Sequence, residues 1–266
     1  MPRPRHFHPK PDPRAHEGLW LYGIHAVRAA LANPRRKLRR AVLTQRAVEE
    51  IGHKLLARVR HEIVDGEAVG RLLPQGAVHQ GVALQCEHLP GRDLDEVLSA
   101  TRRDAARRYA DASDPIASRR IVVVLDQISD PQNTGAILRT AAAFGASAVV
   151  VQDRHSPPES GMLAKAASGA LDVVAYVHVV NIARALEQLG ERGFWRIALA
   201  GDGDAPLKEA IPPGDVALVL GSEGSGIRRL VRERCDAAAF IPIDRGMESL
   251  NVSNAAAVAL YEFRRS

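Results

Sequence analysis

The fold turns on one stretch, IVVVLDQISDPQNTGAILRTAAAFGASAVVVQ, residues 121–152. IVVVLDQI is a continuous apolar run bounded by charge, the pattern of a strand covered on both faces. The polar DPQNTG that follows reads as a loop. A helix then runs to Phe144, with Gly145 as its stop, and SAVVVQ is the next strand. Strand, helix and strand in this order form a βαβ unit and require a parallel sheet. Further on, LDVVAYVHVV (171–180), FWRIALAG (194–201), VALVLG (216–221) and AAFIPI (238–243) are each strand-like. Helical stretches separate several of them, and a last helix is expected from Ser253 to Arg264. Residues 119–266 therefore read as one α/β domain.

Upstream the texture differs. Residues 18–90 read as a compact small domain. LYGIHAVRAAL places Ile24, Val27 and Leu31 at helical spacing, and AVLTQ and VALQC read as short strands. Residues 91–118 are charged and poor in apolar residues, and are expected to form a linker with a helical first part. Residues 1–17 hold five prolines, three histidines and four basic residues; they read as a disordered basic tail. His6, His8 and His16 in such a tail are more consistent with adventitious metal binding than with a built site, so no metal is expected.

The 266 residues are 46% hydrophobic, enough for a sizeable core, and carry a formal charge of +5. Of 36 basic residues 31 are Arg, the side chain that forks phosphate best. Seven basic and no acidic residues lie between Gly18 and Val48. Arg28, Arg35, Arg36, Lys37, Arg39 and Arg40 are the expected phosphate contacts. Cys86 and Cys235 cannot form a disulfide framework. No apolar run approaches the roughly 20 residues that span a bilayer, and the N-terminus lacks the apolar segment of a signal peptide. A reduced, cytoplasmic protein is the expectation.

Chemistry concentrates in three loops of the large domain. In the first, Asn133 and Arg139 lie where a strand gives way to a helix, the place where parallel sheets bind ligands. Arg139 reads as a cation one turn into the helix, suited to a phosphate or carboxylate; an ordinary surface Arg with Asn133 and Thr134 as caps is the plainer reading. In the second, VALVLGSEGSG spaces Gly221, Gly224 and Gly226 around Glu223. This is neither a dinucleotide fingerprint nor a P-loop. A carboxylate there repels phosphate, so the ligand's critical group should be cationic or neutral. In the third, IPIDRGMESLNVSNAAAVALYEF clusters Ser249, Asn251, Ser253 and Asn254 at a helix start. Capping explains one such residue and does not need four.

Together, DPQNTGAILRTAAAFGA, LVLGSEGSGIRRLVRERCD and IPIDRGMESLNVSNAAAVALYE resemble the three motifs of the SpoU (TrmH-like) RNA 2′-O-ribose methyltransferases. The resemblance covers residues 119–266, and LYGIHAVRAAL and HQGVALQC resemble that family's RNA-binding domain of ribosomal-protein L30e type. Within the family the chain is similar to bacterial enzymes that methylate a guanosine ribose in 23S ribosomal RNA. Asn254 departs from the pattern, since relatives commonly carry an apolar residue there.

The resemblance implies a parallel-sheet methyltransferase domain whose C-terminal segment threads a trefoil knot, something no ordinary connection rule yields. It implies a homodimer with RNA as partner and S-adenosylmethionine as methyl donor. Gly221, Ile241 and Leu250 would hold the donor through backbone groups. Arg139 would grip a phosphate and stabilise the developing alkoxide, with Glu223 orienting Arg139. Asn133 would position the ribose or Arg139, and Ser249 and Asn251 would complete the pocket. Transfer-RNA ribose methylation and a non-catalytic RNA-binding or ribosome-assembly role on the same fold remain alternatives.

Overall fold

The computed structural model describes residues 18–99, 119–244 and 246–265. The expected tail and most of the expected linker lie outside the described residues. The first unit is a four-stranded sheet of β1 (Leu19–Tyr22), β2 (Leu38–Leu43), β3 (Arg60–Ile63) and β4 (Val82–Cys86) in the order β1-β4-β2-β3. Only β2 and β3 run parallel. Around it stand α1 (Ile24–Ala32), α2 (Gln45–Ile51), α3 (His53–Leu56) and α4 (Gly66–Gly70), and α5 (Leu94–Leu98) follows.

The second unit is a seven-stranded sheet: β5 (Ile121–Asp126), β6 (Ala148–Gln152), β7 (Ala175–Val179), β8 (Trp195–Leu199), β9 (Ala205–Pro206), β10 (Val216–Gly221) and β11 (Ala237–Phe240). The order is β7-β6-β5-β10-β8-β11-β9, and every pairing is parallel. Its helices are α6 (Pro131–Ala143), α7 (Gly161–Ala166), α8 (Ile182–Glu191), α9 (Leu207–Ala210), α10 (Arg229–Arg232) and α11 (Val252–Arg265), with a 3₁₀ turn at Ala170–Asp172. The apolar run of β5 behaves as expected of a strand covered on both faces. Ile121, Val123 and Leu125 enter one core cluster, and Val122 and Val124 enter the other.

The DPQNTG segment corrects the sequence reading. It is the first turn of α6 rather than a loop. Asp130 caps the helix by accepting the Asn133 N–H at 2.8 Å, and Pro131 sits at its first position, where a missing N–H costs nothing. Arg139 is therefore more than two turns into α6, not one. Short strands such as β1 and β3 escape periodicity because too few residues alternate.

The two units share one core. The larger apolar cluster runs from Leu21, Val27 and Leu31 through to Ile137, Leu163 and Phe263. Two glycines let the backbones close up: a Cβ on Gly161 would lie 2.4 Å from the Trp20 carbonyl oxygen, and one on Gly169 2.8 Å from the Ala29 Cβ. The same interface corrects the reading of Arg36 as a phosphate contact. Its side chain is buried, and its guanidinium forks Asp172 with two 3.0 Å hydrogen bonds while pairing with Glu159. Burial pushes the Glu159 carboxyl up, but hydrogen bonds from His88 and Arg36 outweigh it and hold the group below the ordinary range. A charge run in sequence cannot distinguish a solvated Arg from one turned inward onto carboxylates more than a hundred residues away.

Gly135 of α6 faces α7, where an added Cβ would meet the Ala166 Cβ at 2.4 Å and the Ala167 nitrogen at 2.9 Å. Gly→Ala in a helix interior ordinarily stabilises by about 0.5–1 kcal/mol. Overpacking of this kind costs about 1–3 kcal/mol and wins here. Chemical denaturation of Gly135→Ala is expected to show a net loss of stability; a gain would mean that α6 and α7 separate freely.

Candidate active site

The site lies at the carboxyl ends of β5 and β10, neighbouring strands whose last residues, Asp126 and Gly221, pair in register. Asp126 is completely buried although it is a carboxylate, so it needs a partner. Arg228 supplies it twice: its backbone N–H donates to one carboxylate oxygen at 2.9 Å, and Nε and Nη2 reach the other at 2.8 and 2.6 Å. Nη2 also donates to Gln152 Oε1 at 2.9 Å, at the end of β6. The glycine-rich turn 221–228 is thus a closed ring fastened to β5 at both ends. A Cβ on Gly221 would lie 2.2 Å from the Gly226 carbonyl carbon, so only glycine allows the ring to close. Sequence reasoning misses Asp126, Arg228 and Gln152. The available signal is a carboxylate ending an otherwise apolar strand.

The ring presents Glu223. Its Oε1 accepts from Asn251 Nδ2 at 2.7 Å and from Asn133 Nδ2 at 3.4 Å, while Asn251 Nδ2 also donates to Asn133 Oδ1 at 3.0 Å. Three residues from three separate motifs therefore meet in one hydrogen-bonded group. This corrects the expected pairing of Glu223 with Arg139: the carboxylate is engaged by two amides. Asn251 also caps α11, its Oδ1 accepting from the Ser253 N–H at 3.0 Å and from the Ser253 hydroxyl at 2.6 Å. Asn133 is not a cap, since Asp130 fills that role. Asn254 is exposed, which explains why a polar residue is tolerated there.

Arg139 is exposed. Ser249 is also exposed and is not joined to the amide–carboxylate group. Ile243, Met247 and Leu250 are exposed, and Leu250 immediately precedes Asn251, whose amide binds the Glu223 carboxylate. Such a surface suits an uncharged heterocycle and a cationic centre. Burial pushes the thiols of Cys86 and Cys235 up to about 12, so neither offers a thiolate at neutral pH. Among the described residues no cluster of His, Cys, Asp or Glu is arranged to hold a metal ion, and no helix is long and apolar enough to cross a membrane.

Of the other expected phosphate contacts, Arg28, Arg35, Lys37, Arg39 and Arg40 are exposed. Lys37 and Arg39 share Glu87, and Arg40 lies over the Trp20 ring at 5.3 Å.

Comparison with known proteins matches residues 120–261 to the SpoU rRNA Methylase family and residues 20–90 to the RNA 2′-O ribose methyltransferase substrate-binding family. Relatives named 23S rRNA (guanosine-2′-O-)-methyltransferase RlmB include one from Ralstonia nicotianae, 37% identical and covering 91% of this chain and 93% of its own. Another, from Salmonella typhi, is 36% identical and covers 91% and 96%. Among solved structures, the SpoU methyltransferase AviRb from Streptomyces viridochromogenes in complex with AdoMet superposes with a TM-score of 0.74. It is 21% identical and covers 94% of this chain and 90% of its own.

Removing the carboxylate should loosen the site without unfolding the protein, because water can replace exposed hydrogen bonds at a cost of about 1 kcal/mol or less. Hydrogen exchange on Glu223→Ala is expected to rise in 221–226 and 251–254 and stay unchanged in the β5 and β10 interiors. Unchanged exchange in both loops would show that Glu223 does not join them.

Proposed function

As this chain belongs to the SpoU rRNA methylase family, we propose that it transfers a methyl group from S-adenosylmethionine to a ribose 2′-hydroxyl of RNA, with a guanosine of 23S ribosomal RNA as the acceptor. The observation that carries this reading is the joining of Asn133, Glu223 and Asn251 within one hydrogen-bonded group, at the start of the helix that carries an exposed Arg139. Relatives at 36–37% identity over nearly their whole length carry that activity in their names.

When bound, S-adenosylmethionine supplies a methyl group on a sulfonium cation. The backbone at Gly221, Ile241 and Leu250 would hold it, with apolar Leu250 against the heterocycle. The acceptor hydroxyl is a weak nucleophile, so alignment and charge stabilisation contribute most of the acceleration. Arg139 binds an RNA phosphate bidentately and stabilises negative charge developing on the ribose oxygen. It does not act as a base, because guanidinium does not deprotonate in proteins; the hydroxyl proton is lost to solvent water, which balances the positive charge lost from the sulfonium. Asn133 positions the ribose, and Glu223 and Asn251 hold Asn133 rather than Arg139. Ser249 completes the acceptor pocket.

The small domain is the RNA-gripping part, of L30e type, and Arg28, Arg35, Lys37, Arg39 and Arg40 contact phosphates. The cytoplasm, where ribosomal RNA is made in bacteria, is the compartment this reading requires. After β11 the chain crosses back over β8 and β10 to pack α11 on α6; we read this crossing as the threading of the trefoil knot. Val258 and Tyr261 of α11 are 43% and 54% exposed, and with Asn254 they form a stripe at helical spacing that fits a second copy of the chain.

Arg139→Ala is expected to abolish methyl transfer while calorimetry shows donor affinity within twofold of the parent; unchanged turnover would remove Arg139 from the mechanism. Lys37→Ala/Arg39→Ala/Arg40→Ala should weaken RNA binding across sequences. Its salt dependence should flatten by about 0.7–1 in log–log slope for each phosphate that is no longer neutralised. An unchanged slope would place the RNA elsewhere. Substitution is cleaner than deletion of residues 1–90, since deletion would strip the shared core.

A further inference from the structure

We propose that Arg36 is a positioning residue that locks the substrate-binding unit at a fixed distance and angle from Arg139, so that the acceptor ribose is selected by the span between two anchored surfaces. The inference rests on the functional reading above. Domains joined by a linker ordinarily move relative to one another unless the interface is large and apolar. Here the interface is part of a continuous core, and its polar centre is a fully desolvated guanidinium.

Both carboxylates that Arg36 engages come from the other unit. Asp172 lies in the 3₁₀ turn, and Glu159 lies in the segment that carries the chain from the carboxyl end of β6 into α7. Asp172 also accepts from Asn33 Nδ2 at 2.9 Å, and Glu159 accepts the Leu89 N–H at 2.9 Å. Two carboxylates are thus tied to three separate points of the small unit. A fork of this kind fixes angle as well as distance, which a single apolar contact does not.

The lock connects mechanically to the catalytic helix. Gly161, at the start of α7, sits against Trp20 and Tyr22 of β1. Gly135 of α6, two residues from Asn133, packs on Ala166 and Ala167 at the far end of α7. With no side chain at either glycine to slide or hop rotamers, α7 transmits the position of β1 to the helix bearing Asn133 and Arg139. The residues that follow Arg36 complete the device: Lys37, Arg39 and Arg40 are exposed to solvent. The chain turns one basic residue inward to fasten the unit and the next ones outward to hold RNA.

The test uses the full chain with spin labels at Lys54→Cys and Glu191→Cys, both exposed and one on each unit. Cys86 is buried and Cys235 half-buried, so the labels are introduced in a Cys235→Ser background. The variants are Arg36→Met and Arg36→Met/Glu159→Gln/Asp172→Asn. The second leaves no stranded charge and keeps the test valid if the first fails to fold. With the doubly labelled chain diluted into an excess of unlabelled chain, so that label pairs between protomers are rare, the parent should give one narrow inter-label distance by double electron–electron resonance, and the triple variant a distribution at least twice as broad. Donor affinity should stay within twofold. Methyl transfer to ribosomal RNA should lose at least tenfold in kcat/KM, and ribose mapping should show methylation spreading to additional nucleotides. A distribution as narrow as the parent's overturns the proposal, as does a broadened one with parental rate and position. If the parent itself transfers no methyl group, the functional reading fails, and the distance measurement still decides whether Arg36 is the lock.

Discussion

A carboxylate with no access to water organises the catalytic end of this molecule. Asp126 closes β5, pairs in register with Gly221, and takes both the backbone and the guanidinium of Arg228. Removing Arg228 strands the fully buried Asp126 carboxylate, at a cost of about 3–5 kcal/mol, so the arrangement is held to one geometry. The glycine-rich turn is fastened by it, the turn presents Glu223, and Glu223 gathers Asn133 from α6 and Asn251 from the cap of α11. Without the clasp, Asn133 and Glu223, 90 positions apart in the chain, would have no reason to meet.

The site divides its chemistry by charge. Exposed Leu250 immediately precedes Asn251, whose amide binds Glu223; an apolar side chain and a carboxylate suit a donor bearing a sulfonium. On the side of α6 stands Arg139, which suits the phosphate-bearing acceptor. The small unit adds further cations at a distance set by a shared core and a buried ion fork. This combination matches RNA methylation better than nucleotide-dependent chemistry, for which the glycine spacing is wrong. It also opposes the reading of a protein that binds RNA without acting on it, because the amide–carboxylate group is intact.

How much of this is legible in the sequence follows from the range of each interaction. β5, α6 and β6 are readable because their signals are local: an unbroken apolar run, a helical face and a glycine stop. The three loops are readable because polar residues cluster beyond what turns and caps require. What escapes is non-local. Glu223 is expected on Arg139 because opposite charges invite pairing, yet the fold places two amides nearer. Arg36 reads like its basic neighbours because periodicity says nothing of Asp172, which is 136 positions away. The start of α6 reads as a loop because Asp-Pro is equally a turn signal and a cap followed by a first helical proline. Arg139 comes from the resemblance; on its own loop it looks like any surface arginine.

The central claim is that this site methylates a ribose hydroxyl in RNA, and the position of transferred label tests it most directly. The purified protein is incubated with methyl-labelled S-adenosylmethionine and unmodified 23S ribosomal RNA, and the product is hydrolysed in alkali. A 2′-O-methyl group blocks cleavage at its own nucleotide, so the label is expected in a single alkali-resistant dinucleotide that begins with guanosine. Label recovered in mononucleotides, and hence on a base, or no label in RNA at all, would contradict the account.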